Sequence, residues 1–167
     1  LVLSELGPAA GPLEGGALAP EYYALNDVLL GRGERARVVL LSVSVDGAPL
    51  TTVRADGLVV ATATGSTAYS LSAGGPIVYP YIGAMLLTPI LPHLTFLRSL
   101  VIPATASVRV QLCTDHTAMC SVDGQVDIRL TDGAVATVRT APFPCRFLRA
   151  RPPTYFYETL LARLQSC

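Results

Sequence analysis

Residues 64 to 72 gather five hydroxyl side chains, Thr64, Ser66, Thr67, Ser70 and Ser72, and one aromatic residue, Tyr69. Hydroxyls and free backbone N–H groups at the start of a helix bind phosphate and sugar oxygens. An aromatic face with a polar tip can flank a ring of the ligand. Together these types suit a nucleotide. A Ser/Thr cap followed by a glycine stop also serves ordinary turns, so residue types alone leave both readings open.

Placing those groups requires a particular run of elements. Leu58 to Ala61 is a short apolar run of the kind buried on both faces, and it delivers the chain into the Thr/Gly/Ser turn. Ser66 is the expected N-cap of a helix over about 66–73, which Gly74–Gly75–Pro76 stops after two turns. Elsewhere the pattern has period 2. Val39, Leu41, Val43 and Val45 alternate up to Asp46–Gly47, Val108, Val110 and Leu112 alternate likewise, and Val126, Ile128 and Leu130 lead to Asp132–Gly133. Alternation ended by Asp-Gly predicts hairpins in an antiparallel sheet, and many short strands of this sort predict a mainly β, sandwich-like domain. After Pro152–Pro153, Tyr157, Leu160, Leu161 and Leu164 form the stripe of an amphipathic helix over about 154–165. Residues 1–150 therefore form a β-rich domain with a Pro/Gly/Ala-rich loop at about 7–20, and 151–167 form a helical arm.

Composition removes several function classes. Of 167 residues half are hydrophobic, only 14% are charged, and the net charge is zero, with twelve arginines and no lysine. No basic stripe is present, which argues against a nucleic-acid partner. The mean hydropathy of +0.49 is high for a soluble domain. Gly57 to Leu97 carries no Asp, Glu, Lys or Arg, yet Pro76, Pro80, Pro89 and Pro92 interrupt it, so no stretch offers the roughly 20 apolar helical residues of a membrane span. The N-terminus has no basic segment or cleavage pattern of a secretory signal. The reading is a cytoplasmic domain whose surface a partner covers. Cys113, Cys120, Cys145 and Cys167 form no C-x-x-C pair, so reduced structural thiols are expected.

Four blocks carry a resemblance. Asp56 to Pro76 (DGLVVATATGSTAYSLSAGGP) resembles the signature of the NAD kinase family. Ala24–Leu25–Asn26–Asp27–Val28 is similar to its Asn-Glu/Asp motif, Leu87–Thr88–Pro89–Ile90–Leu91–Pro92–His93 to its TPI-x-PH stretch, and Val122–Asp123–Gly124–Gln125 to its D-G/S-Q turn. The blocks follow family order and spacing from about Tyr22 to Leu164.

The resemblance implies the C-terminal β domain of the NAD kinase/diacylglycerol kinase-like fold, and phosphoryl transfer from ATP or polyphosphate to the 2′-hydroxyl of the NAD adenosine ribose. It implies that Asn26 and Asp27 hold the adenosine part and that Asp56 reaches the nicotinamide side, often across a subunit boundary. Thr64, Thr67, Ala68 and Tyr69 would surround adenine and ribose, extended by Ser70, Leu71 and Ser72, with Arg37, Arg54 and Gln125 as contacts in some members. It also implies Mg²⁺ in the full enzyme, a homodimer or homotetramer, and an N-terminal α/β domain. That domain carries a Gly-Gly-Asp-Gly-Thr motif with the catalytic aspartate, which has no counterpart here. This chain by itself is therefore expected not to phosphorylate NAD, and its helical arm is expected to pack on the other domain.

Each residue has a plainer alternative. Asn26 can satisfy a turn, Asp56 can be a hairpin residue, and Arg37 and Arg54 can sit on solvated strand faces. His93 reads as a structural hydrogen-bonder, and Tyr155, Phe156 and Tyr157 as packing residues. The chain departs from the family in Ala63, where proline is common, and in Leu97–Arg98–Ser99, where Arg-Pro is usual. A lipid kinase relative and a non-catalytic NAD(H)-binding or assembly module are the alternative functions.

Overall fold

The computed structural model describes residues 1–8, 21–33, 37–92, 98–148 and 150–165. His93, Leu97, Cys167 and most of the 7–20 loop lie outside the described residues. Among the described residues twelve strands run in chain order: β1 (Val2–Pro8), β2 (Tyr22–Tyr23), β3 (Asp27–Arg32), β4 (Val39–Val45), β5 (Ala48–Ala55), β6 (Gly57–Thr62), β7 (Ala84–Ile90), β8 (Leu100–Pro103), β9 (Val108–Cys113), β10 (Ala118–Val122), β11 (Val126–Leu130) and β12 (Ala134–Arg139). They form two six-stranded sheets, β2-β1-β12-β9-β4-β5 and β11-β10-β3-β6-β7-β8, with every pairing antiparallel.

Alternation decides which face is inside. Val39, Leu41 and Val43 of β4 and Val108, Val110 and Leu112 of β9 turn inward to meet Val28, Leu30, Leu58, Val60, Met85 and Leu87 of the second sheet, making one sandwich core. β6 is buried on both faces, as its unbroken apolar run predicts. Leu58 and Val60 enter the main core, while Val59 and Ala61 join Ala63, Val78 and Leu86 in a smaller core on the outer side. That smaller core seats the 64–78 segment on the sheet.

The turns divide into two kinds. Asp46 and Gly47 take positive φ (49° and 81°) and close the two-residue β4–β5 hairpin. The hairpin predicted at Asp132–Gly133 does not form, because β11 and β12 belong to different sheets. That turn docks instead on β9, with the Thr114 N–H donating to Asp132 Oδ1 (2.9 Å) and the Gly133 N–H to the Leu112 carbonyl (3.0 Å). Asp56 likewise stands at a crossing between sheets and not in a hairpin.

The predicted helix over 66–73 is also different. It begins earlier and is split into a 3-10 turn at 64–67 and α1 (Tyr69–Ser72), with Ala68 between them. Ser66 is not the N-cap; its buried Oγ donates to the Ala63 carbonyl and accepts the Val78 N–H (2.7 and 3.0 Å). The hydroxyl binds the returning chain, which leaves it nothing to cap with.

α2 (Tyr155–Gln165) is the predicted C-terminal helix. Its first turn packs on the segment before β7, with Tyr157 stacked on Tyr79 (5.5 Å, 4° between planes) and Phe156 edge-on to the same ring (5.2 Å). These aromatics pack, as expected. Among the described residues no helix is long and apolar enough to cross a membrane. Cys113, Cys120 and Cys145 are unpaired, and burial pushes the Cys120 thiol up to about 12, which keeps it an inert thiol.

Candidate functional site

Asn26 and Asp27 sit where the chain enters β3, and the 3-10 turn follows the end of β6, the strand paired with β3. Pairing alone therefore brings the two motifs together. Thr62 fastens them: its N–H donates to the Asn26 carbonyl (2.8 Å), its hydroxyl donates to the Leu25 carbonyl (2.8 Å), and the same oxygen accepts the Gly65 N–H (2.8 Å). Gly65 is required by contact. A Cβ there would lie 2.6 Å from the Asn26 Cα and overlap its carbonyl.

On the other side, the β10–β11 turn supplies Asp123. Its carboxylate accepts the N–H groups of Leu25 (2.7 Å), Asn26 (2.8 Å) and Asp27 (2.9 Å), and its own N–H donates to the Asp27 carbonyl (3.0 Å). The Asp27 carboxylate is buried and accepts the Tyr69 backbone N–H. Burial and the neighbouring Asp123 charge raise its pKa above the ordinary aspartate range, with the Tyr69 N–H pulling the other way.

A cleft of about 340 Å³ opens there, lined by Asn26, Asp27, Leu29, Ala68, Tyr69, Ser121, Asp123 and Gly124. A second, of about 470 Å³, shares Leu29 and Tyr69 with it and adds Asp56, Arg32, Ile90 and the Gly31–Gly33 backbone. Tyr69, 46% exposed, therefore stands between two recesses. Asp56 is held by Arg32 (Nε to Oδ2, 3.3 Å) and by the Arg32 N–H on its carbonyl (2.9 Å).

The structure thus gathers Asn26, Asp27, Asp56, Ala68 and Tyr69 around one ring. Thr64 lines a third, apolar cleft on the far side of the Asn26 turn, and Thr67 is exposed, its hydroxyl on the Thr64 carbonyl (3.4 Å). Ser70 faces inward, where its Oγ lies 3.0 Å from Thr88 Oγ1 with both side chains buried. Leu71 and Ser72 continue α1, half-buried and exposed, and Gln125 is exposed at the end of the Asp123 turn. Arg37 lies apart, paired with Asp115 (3.2 Å), whose carboxyl the His116 and Arg37 contacts hold below the usual range. Arg54 lies exposed on β5, in the other sheet.

The free N–H cradle expected at the helix start is not there. The amides of Gly65, Ser66, Ala68 and Tyr69 are taken by Thr62, Ala63, Gly65 and Asp27. What faces the clefts is side chain, not an array of amides. Three residues that shape the site carried no expected role: Asp123, Thr62 and Arg32. Asp123 and Thr62 stand inside the motif blocks, which was the available signal; Arg32 had none.

Comparisons with known proteins bear on the family of the chain. Residues 25–150 match the family described as the ATP-NAD kinase C-terminal domain. The chain is 47% identical over 151 residues to an NAD kinase of Chloroflexus aurantiacus, covering 90% of this chain and 55% of that protein. It is 41% identical over 149 residues to one of Dehalococcoides mccartyi, covering 89% and 52%. Among solved structures it resembles yeast NADH kinase complexed with NADH (TM-score 0.71, 37% identity, 83% of this chain and 39% of that one). It also resembles an NAD kinase of Archaeoglobus fulgidus in complex with ATP (TM-score 0.75, 28% identity, 90% and 55%). The chain spans about half the length of the curated relatives it matches.

Proposed function

The chain belongs to the NAD kinase family, and from that premise we propose that it is the dinucleotide-binding half of an enzyme that makes NADP. The reaction moves the terminal phosphoryl group of ATP, or of polyphosphate, to the 2′-hydroxyl of the NAD adenosine ribose. The observation that carries this reading is the convergence of Asn26–Asp27 and Ala68–Tyr69, some forty residues apart in sequence, on one cleft. Asn26 and Asp27 offer a donor and an acceptor to ribose hydroxyls, and Tyr69 offers a flat face to a ring. Asp56, across Tyr69, serves the nicotinamide side, completed by a second copy in a homodimer or homotetramer. Thr64, Thr67 and Gln125 border the ligand, whereas Ser70 supports the site from behind.

A ribose hydroxyl needs a carboxylate to accept its proton, and the transferred phosphoryl group needs charge neutralisation. Among the described residues no group of three or more His, Cys, Asp or Glu is gathered that could hold a metal. We assign the base, the metal and the phosphate cradle to an N-terminal α/β domain, on which the rest of α2 also packs. A cytoplasmic setting suits the unpaired thiols.

Titration calorimetry with NAD tests the reading. Binding by the chain, lost by at least tenfold in Asn26→Ala and in Tyr69→Ala, is expected. Tyr69 is half-exposed, so its removal should leave folding within about 1 kcal/mol. Binding that survives both substitutions sinks the assignment. A coupled assay should detect no NADP formed by the chain alone.

A further inference from the structure

We propose that Asp123 is the positioning residue of this site, setting both the shape of the Asn26–Asp27 turn and the charge with which Asp27 meets the ligand. The inference rests on the NAD-binding reading above and goes beyond it, since Asp123 acts through its neighbours.

Three consecutive amides, those of Leu25, Asn26 and Asp27, point at one carboxylate at 2.7–2.9 Å. A concave run of N–H groups of this kind is held open by an anion, and bonds to a charged acceptor are about twice as strong as neutral ones. Thr62 occupies the Leu25 and Asn26 carbonyls from the opposite side, and the Asp123 N–H occupies that of Asp27. The peptide groups of the turn are thus committed, and the turn has only its side chains to present. Asp123 fixes where those side chains point.

The second part is electrostatic. The groups facing Asp27 are Asp123 from the β10–β11 turn, Tyr69 from α1, and Ser121 from β10, whose hydroxyl donates to Asp127 of β11 (2.6 Å). The charge acting most directly on Asp27 is therefore negative, and it makes Asp27 bind a proton more readily. An ionised Asp27 only accepts hydrogen bonds, so a ligand hydroxyl that donates to it selects the ionised form. Affinity should then rise as pH rises through the Asp27 transition. Removing the Asp123 charge moves that transition to lower pH.

The experiment pairs a ligand-free measurement with a binding one. Carboxyl ¹³C NMR follows the Asp27 titration, and calorimetry follows NAD affinity across the same pH range, in the wild-type chain, Asp123→Asn and Asp123→Glu. In Asp123→Asn the Asp27 midpoint should fall, NAD affinity at neutral pH should drop at least tenfold, and the midpoint of its pH profile should move down in parallel. Asp123→Glu, which keeps the charge, should return the Asp27 midpoint toward wild type and recover part of the affinity. A merely structural role would weaken binding without moving either midpoint. An unmoved Asp27 midpoint, or unchanged NAD affinity, in Asp123→Asn overturns the proposal. Should that variant not fold, Asp123→Glu decides, because a displaced carboxylate that leaves NAD affinity unchanged overturns it equally. A wild-type chain that does not bind NAD sinks the reading of the site instead, and the ligand-free titration still judges Asp123.

Discussion

The Asn26 turn has two sides, and they are built on opposite principles. Toward Tyr69 the recess is small, and the backbone groups of the turn beside it are paired through Thr62 and Asp123. On the other side lies an open apolar cleft of about 970 Å³, bordered by Leu25, Tyr81, Ile82, Phe143 and Phe147. Tyr81, Ile82, Phe143 and Phe147 there are each more than half exposed. Polar bonds complete the first side from within this chain. The second shows large apolar side chains to water. The chain spans about half the length of the curated relatives it matches. The difference is between a turn held by its own hydrogen bonds and an exposed apolar surface.

The strongest way to break the polar side is Gly65→Ala. The added methyl meets backbone, the Asn26 carbonyl and Cα, and no flexible side chain can yield. Overpacking of this kind costs about 3 kcal/mol, and relief requires the 3-10 turn to move off the Asn26 turn. A denaturant melt should show that loss, and calorimetry should show NAD binding abolished. Unchanged NAD affinity would mean that the two turns need not touch.

Asp27→Asn sharpens the same side through its sign. A carboxyl whose folded pKa is raised stabilises the fold below the ordinary aspartate range, about 4, and loses that contribution as pH climbs through the raised value. Above that transition the charged Asp27 beside Asp123 therefore opposes folding. Replacing it with Asn should raise the thermal midpoint at pH 7, flatten the change in stability across that acid window, and weaken NAD binding more than tenfold. Stability that falls at pH 7 would show that the Tyr69 N–H bond outweighs burial and repulsion.

How much of this was legible in the sequence differs by range. Alternation in Val39–Val43 and Val108–Leu112, and the unbroken run of β6, name the inward faces because they follow from the strand period. An Asp-Gly pair tells where the chain reverses but not which sheet the next strand joins. That is why Asp46–Gly47 makes a hairpin while Asp132–Gly133 and Asp56–Gly57 are crossings. In the site, the hydroxyl-rich 64–72 segment was legible as a turn. Its amides and buried hydroxyls are spent internally, on bonds that composition cannot apportion. Asp123 acts on residues 96 to 98 positions away, which no local spacing encodes.

The apolar side offers the gentlest test, because changing it should leave the polar side alone. Ile82 and Phe147 are 53% and 54% exposed and border the large cleft without lining either recess beside Tyr69. Exchanging both for serine removes apolar surface already in water, so folding stability should move by no more than about 0.5 kcal/mol each. Binding of a hydrophobic dye should fall clearly, and self-association seen in sedimentation should weaken if copies meet there. NAD affinity should stay within about twofold, since neither substitution removes a Thr62 or Asp123 bond to the Asn26 turn, although both of those residues also border the large cleft. A large loss of NAD affinity in this double variant would show that the two sides are one cooperative unit, and the division between a self-supporting turn and a separate apolar surface would fall.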